Sequence, residues 1–193
     1  VDLSQKIHHL EIYTSNESFG SNAEYLRDGM NWQTWKKNVE KVFTEGNIKA
    51  LHMMMTISGL SLFSLDQFLD QLIIWKKQSP KPIRFSVNIL RHPTFHSPLA
   101  VPRHLRLQVQ GRLKTWLQAQ RNSGLLIDFE IESLQRLIDY LEFVEVPTKT
   151  AEPQPELEKD LKRFLIQFDK RRGKNFRMSF PTEVVDWLEQ VQP

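Results

Sequence analysis

Three short polar runs carry the side chains with the clearest capacity for chemistry: Ser15-Asn16-Glu17, Ser58-Gly59, and Asn88 followed by Arg91. Each stands where an apolar stretch gives out. A hydroxyl, an amide, a carboxylate and a guanidinium gathered at strand ends could hold a small polar or anionic ligand, because α/β proteins bind ligands at the carboxyl ends of their strands. The same polarity arises wherever a strand end reaches water, and both readings stand at this point. His92 and His96 are four apart, a spacing that on a helix could direct two imidazoles at one metal. Pro93 and Pro98 exclude a regular helix there, so a structured loop with exposed histidines is expected. Asn16-Glu17-Ser18 matches a glycosylation sequon, with nothing else that points to secretion. There is no phosphate-binding glycine loop, no GxSxG and no GxGxxG.

The elements that must position these residues follow from periodicity. Residues 8–14 alternate apolar and polar side chains and read as a strand. Asn31 is predicted to cap a helix to about Phe43, with Trp32, Trp35, Val39 and Val42 on its apolar stripe and Gly46 as its stop. Residues 50–57 are short and largely apolar, which suits a strand buried on both faces. Ser64 is expected to cap a helix over 65–77, and residues 83–90 form the third strand. Strand–helix alternation of this kind implies a parallel sheet with right-handed crossovers. Three strands do not close a barrel, and an open sheet leaves two unpaired edges.

After residue 90 the alternation ends. Helices are predicted from Arg103 to about Arg121, from an Asp128 cap through Leu141, over 157–170 with Phe164 and Phe168 inward, and from Pro181 onward. A Pro/Thr linker is expected at 146–155. Two regions follow: 1–102, a β/α segment, and 103–193, a helical region.

Charge and composition narrow the classes. The 193 residues carry 26 Lys+Arg against 23 Asp+Glu, a net charge of only +3. Residues 91–124 hold six basic and no acidic side chains. Arg103, Arg106, Gln110, Lys114 and Arg121 are expected along one solvated face of the fourth helix, and no aromatic side chains interleave with them as a nucleic-acid stripe would require. The Lys170–Lys174 run suits a helix C-terminus. No apolar run approaches the roughly 18 residues of a spanning helix. No membrane is expected, and the polar start points to a cytoplasmic protein. Cysteine is absent, which excludes disulfides, thiolate zinc sites, Cys nucleophiles and a self-supplied iron–sulfur cluster.

The run LEIYTSNESFGSNAEYLRDGMNWQTWKKNVEKV, with Ser15, Arg27, Gly29, Trp32, Trp35, Asn38 and Val39, resembles a segment of radical S-adenosylmethionine (SAM) enzymes. HMMMTISGLSLFSLDQFLDQLIIW and VNILRHPTFHSPLAVP are similar to the strands and loops that follow it there. Asp169, Arg172, Gly173, Asn175, Phe176, Phe180 and Pro181 match the end of the twitch-domain subgroup. The resemblance implies the C-terminal portion of such an enzyme, a partial TIM-type barrel followed by helices. The cluster-binding CxxxCxxC is absent from this sequence. In the intact family SAM and a 4Fe–4S cluster are the cofactors; none is expected bound to this chain alone. The resemblance implies that Ser15 lies near the ribose of SAM and Arg27 near its carboxylate, with Asn16 and Glu17 assisting. Ser58, Asn88, Arg91 and the 91–102 loop fall on the substrate side, the substrate itself being unknown. The open sheet is expected to be covered by self-association or by the C-terminal helices. The contrasting reading is a non-catalytic helical adaptor that binds a partner or nucleic acid through its basic 91–121 segment.

Overall fold

The computed structural model describes residues 2–143 and 154–193. Strands β1 (Glu11–Ser15), β2 (Ala50–Ile57) and β3 (Ile83–Ile89) form one parallel sheet in the order β1-β2-β3. The helices are α1 (Gly20–Leu26), α2 (Trp32–Glu45), α3 (Leu65–Gln78), α4 (Arg103–Gln120), α5 (Asp128–Glu142), α6 (Gln154–Arg172) and α7 (Thr182–Gln190). The parallel α/β alternation expected over the first 90 residues is present. The first strand starts at Glu11 rather than His8, and α1 is an element that the periodicity did not announce. Of the expected linker, residues 146–153 lie outside the described residues, and Gln154 and Pro155 open α6.

One face of the sheet is apolar and buried: Leu51, Met53, Met55 and Ile57 from β2, and Ile83, Phe85 and Val87 from β3. The other face carries Glu11, Tyr13, Ser15, Thr56, Arg84 and Asn88 exposed, with His52, Met54 and Ser86 half-buried. The expectation that β2 is buried on both faces is therefore corrected. Its alternate residues point to opposite sides, and on the second side His52 and Met54 are only half-buried and Thr56 is exposed. Against the buried face pack Trp75, Phe43 and Phe68, all fully buried. Each stabilises the fold by about 1.5–3 kcal/mol relative to exposure. Trp75 also donates its indole N–H to Glu40 at 3.0 Å, joining α3 to α2.

The helix ends show which local signals were real. Asn31 Oδ1 accepts the Thr34 N–H at 2.9 Å, a regular N-cap. Ser64 does not cap α3: its Oγ instead accepts the Phe19 N–H at 3.0 Å and ties the start of α1 to α3. Asp128 is the first residue of α5 rather than its cap, and Glu130 accepts the Ile127 N–H at 3.0 Å. Arg106 and Gln110 leave the expected solvated stripe of α4. Both are buried, Arg106 donating to Val101, Leu141 and Phe143 carbonyls and Gln110 to Ile138 O. They satisfy carbonyls of α5 and its exit, a role set by the neighbouring helix rather than by α4 itself. Phe164, expected inward on α6, is 37% exposed.

The two long edges of the sheet differ. Beyond β3 lies α5, whose fully buried Glu130 accepts the outward Phe85 N–H at 2.9 Å and pairs with Lys76 at 2.7 Å. Beyond β1 no such cover is present among the described residues. Odd-numbered residues of β2 face β3, as the Leu51 N–H to Pro82 O bond shows, so register turns the backbone of Glu11, Tyr13 and Ser15 outward. No hydrogen bond reaches those outward groups among the described residues.

Candidate functional site

The carboxyl ends of β1 and β2 turn into loops that bring four of the expected residues close together. Glu17 is buried, and its Oε2 accepts from Arg27 Nη2 at 2.6 Å. The backbone of Thr56 also hydrogen-bonds this carboxylate. Burial nevertheless outweighs both and raises the Glu17 pKa above the usual carboxylate value. Asn16 is fully buried; its Nδ2 donates to Ser18 O at 2.7 Å, while its Oδ1 has no partner. Ser15 and Arg27 line one shallow hollow with Asp28, Asn31 and Trp35.

A second, more enclosed cavity of about 250 Å³ lies at the ends of β2 and β3. Glu17, Thr56, Ser58 and Leu90 line its sheet side, and Phe164, Leu165 and Phe168 of α6 form its other wall. Ser58 and Ser61 close a reciprocal turn, Ser58 N–H to Ser61 Oγ at 2.9 Å and Ser61 N–H to Ser58 Oγ at 3.2 Å. Gly59 next to it serves packing. A Cβ there would stand 2.9 Å from Val101 Cγ2 and 3.0 Å from Ser97 O, so only glycine lets the 92–101 loop cross the strand end so closely. That crossing brings His96 into the cavity wall, fixed through Gly59 N–H to His96 O at 2.8 Å. The exposed-histidine expectation for the loop is corrected at His96, which is half-buried and whose pKa burial lowers. His92 is exposed.

Asn88 and Arg91 are not drawn into either space. Asn88 is exposed beside Thr56, its register partner on the open face. Arg91 is exposed with its guanidinium 6.0 Å from the centre of the Tyr140 ring. Sequence reasoning missed Thr56, Tyr25 and the aromatic wall of α6. For Thr56 the signal was available, since a lone polar residue between Met55 and Ile57 breaks an apolar run.

The segment that carries Arg27 is clasped by the C-terminal region. Asp169 accepts from the Tyr25 hydroxyl at 2.8 Å and from Phe176 N–H at 3.0 Å. Burial and this carboxylate together hold the Tyr25 phenol well above its ordinary pKa. Gly173 takes the left-handed conformation that ends α6. Lys174 then donates to the Glu24 and Tyr25 carbonyls at the end of α1, and Asp28 pairs with Arg172 at 2.9 Å and Lys174 at 3.1 Å. Arg172 and Lys174 of the basic run thus have partners within the fold.

No protein-family model, curated protein or solved structure matches this chain. No helix among the described residues is long and apolar enough to cross a membrane. A 4Fe–4S cluster does not fit these residues: the chain supplies no thiolate, and no group of three metal-capable side chains stands together among the described residues. What the arrangement offers is binding: a neutralised carboxylate–guanidinium pair, a hydroxyl beside it, and an adjoining cavity with mostly apolar walls.

Proposed function

We propose that this chain is the C-terminal part of a radical SAM enzyme and contributes part of its SAM-binding cleft, on the frame of a partial TIM-type barrel. The reading rests on the resemblance of the strand ends and the C-terminal motif. One observation carries it further: Ser15 and Arg27, twelve positions apart in the sequence, line the same hollow at the carboxyl end of β1. Arg27 would hold the carboxylate of SAM and Ser15 the ribose, with Glu17 keeping the guanidinium in place through its 2.6 Å contact. Arg27 Nε is buried and has no hydrogen-bond partner among the described residues. SAM when bound would supply the adenosyl radical chemistry of the family. No step of that chemistry is assigned to this chain, because it carries no ligands for the cluster. The polar face of the sheet and the bare edge of β1 suit the remainder of a barrel, or a second copy, as cover.

Isothermal titration with SAM tests the proposal. Each single contact of this kind contributes about 1–3 kcal/mol, so affinity weaker than roughly 1 mM is expected. Arg27→Ala should abolish it. Binding that persists unchanged in Arg27→Ala would remove the proposal.

A further inference from the structure

We propose that the cavity between the ends of β2 and β3 and helix α6 binds an uncharged aromatic group of one or two rings that carries a hydrogen-bond donor, of the phenol or indole class. This deepens the reading above by naming a substrate class for the same end of the sheet, and it depends on that reading only for treating the group as substrate.

Size comes first. The cavity holds about 250 Å³, and an apolar cavity of roughly 150 Å³ accommodates benzene. One ring leaves space over, and two fused rings are accommodated. The walls come next. Phe164 stacks on Phe168 with ring centres 5.7 Å apart, meets the His96 ring edge-on at 4.5 Å, and Phe168 in turn packs on Tyr25 at 5.3 Å. A row of rings in mixed edge and face orientations suits an aromatic guest, since offset and edge-to-face pairs are preferred.

Charge decides the rest. Glu17 is the one carboxylate in the lining, and Arg27 already neutralises it. Burial lowers the His96 pKa and so favours its neutral form. A charged guest would therefore meet no uncompensated countercharge while losing its hydration. A carboxylate has about four acceptor positions, and Arg27 and the Thr56 backbone use two of those on Glu17. A donor such as an indole N–H or a phenol O–H can take another.

The test is a titration of the chain with indole and phenol, followed by heteronuclear NMR, with indole-3-acetate and tryptamine as charged comparators. Shifts should centre on Thr56, Ser58, Leu90 and His96, and the charged comparators should bind at least tenfold more weakly. Leu90→Trp fills the cavity and should weaken indole at least tenfold. Phe164→Ala removes a partly exposed wall with little risk to folding and should weaken it about fivefold. Phe129→Ala, an exposed aromatic outside the lining, should change nothing. Shifts centred elsewhere, equal binding of charged and neutral probes, or indifference to Phe164→Ala would overturn the proposal. SAM is titrated into the same samples. Indole binding with no SAM binding at SAM concentrations well above the roughly 1 mM expected for its dissociation constant upholds this site and removes the cofactor reading; SAM binding at those concentrations without indole binding does the reverse.

Discussion

The two edges of one three-stranded sheet have been treated in opposite ways. At β3, helix α5 lies alongside and Glu130 replaces the missing strand: it accepts the Phe85 N–H, the Ile127 N–H and two contacts from Lys76. At β1 the outward backbone meets no partner among the described residues, and Tyr13 is 61% exposed with its ring stacked 4.4 Å over His52. A buried carboxylate that meets a backbone donor and an ammonium ends a sheet permanently, because withdrawing any partner leaves a charge or donor unsatisfied. A bare edge costs nothing in water and leaves the sheet able to take another strand. The lesson is that one edge is closed by side chains from a neighbouring helix, whereas the other is left without a backbone partner among the described residues.

The comparison breaks most visibly at Glu130. Glu130→Ala leaves Lys76 buried without its counter-ion and the Phe85 N–H without an acceptor, and should cost about 3–5 kcal/mol in urea unfolding. The double variant Lys76→Met with Glu130→Leu should recover much of the ion-pair share. If Glu130→Ala is as stable as the parent, the edge is not held by this residue.

Next in size is the clasp on α1. Asp169→Ala strands the Tyr25 hydroxyl and the Phe176 N–H, at a cost of about 1–3 kcal/mol. Amide exchange of residues 24–27 should accelerate in this variant beyond what the global loss explains.

A third and smaller effect concerns pH. The raised Glu17 pKa means that its contribution to stability is fully present below the ordinary carboxylate pKa and is lost as pH rises through the folded value. The lowered His96 pKa acts the other way: its contribution is fully present above 6.5 and is lost as pH falls toward the folded value. Glu17→Gln should flatten the first slope and His96→Asn the second in unfolding midpoints measured from pH 4 to 8. Glu17→Gln itself should change stability at neutral pH by no more than about 1 kcal/mol, because the relief of burial offsets the lost Arg27 contact.

The smallest expected effect lies on the β1 edge. Tyr13→Lys should alter monomer stability by less than about 0.5 kcal/mol and should lower any self-association seen by sedimentation, since a charge on a bare edge discourages pairing. In hydrogen exchange the Tyr13 amide should be fast and the Phe85 amide slow. A protected Tyr13 amide would show that the β1 edge is covered in solution.

The parallel sheet was legible in the sequence because apolar strands alternate with stretches of helical period, and local pattern alone requires crossovers. The Asn31 cap was legible because its acceptor meets a donor three residues on. Tertiary structure decided whatever needed a distant partner. Glu130 meets Phe85 across 45 positions and Tyr25 meets Asp169 across 144. Arg106 reads as one more surface cation until α5 supplies carbonyls for it. His96 reads as a loop residue until Gly59 lets that loop close over the strand end. Polar strand ends at Ser15, Glu17 and Ser58 were set by residue type, whereas their gathering around a hollow and a cavity came from the packing of α1 and α6 over the sheet. Hydrophobic period is a property of neighbours along the chain and survives in one dimension. Satisfaction of a buried polar group is a property of neighbours in space, and only the fold supplies those.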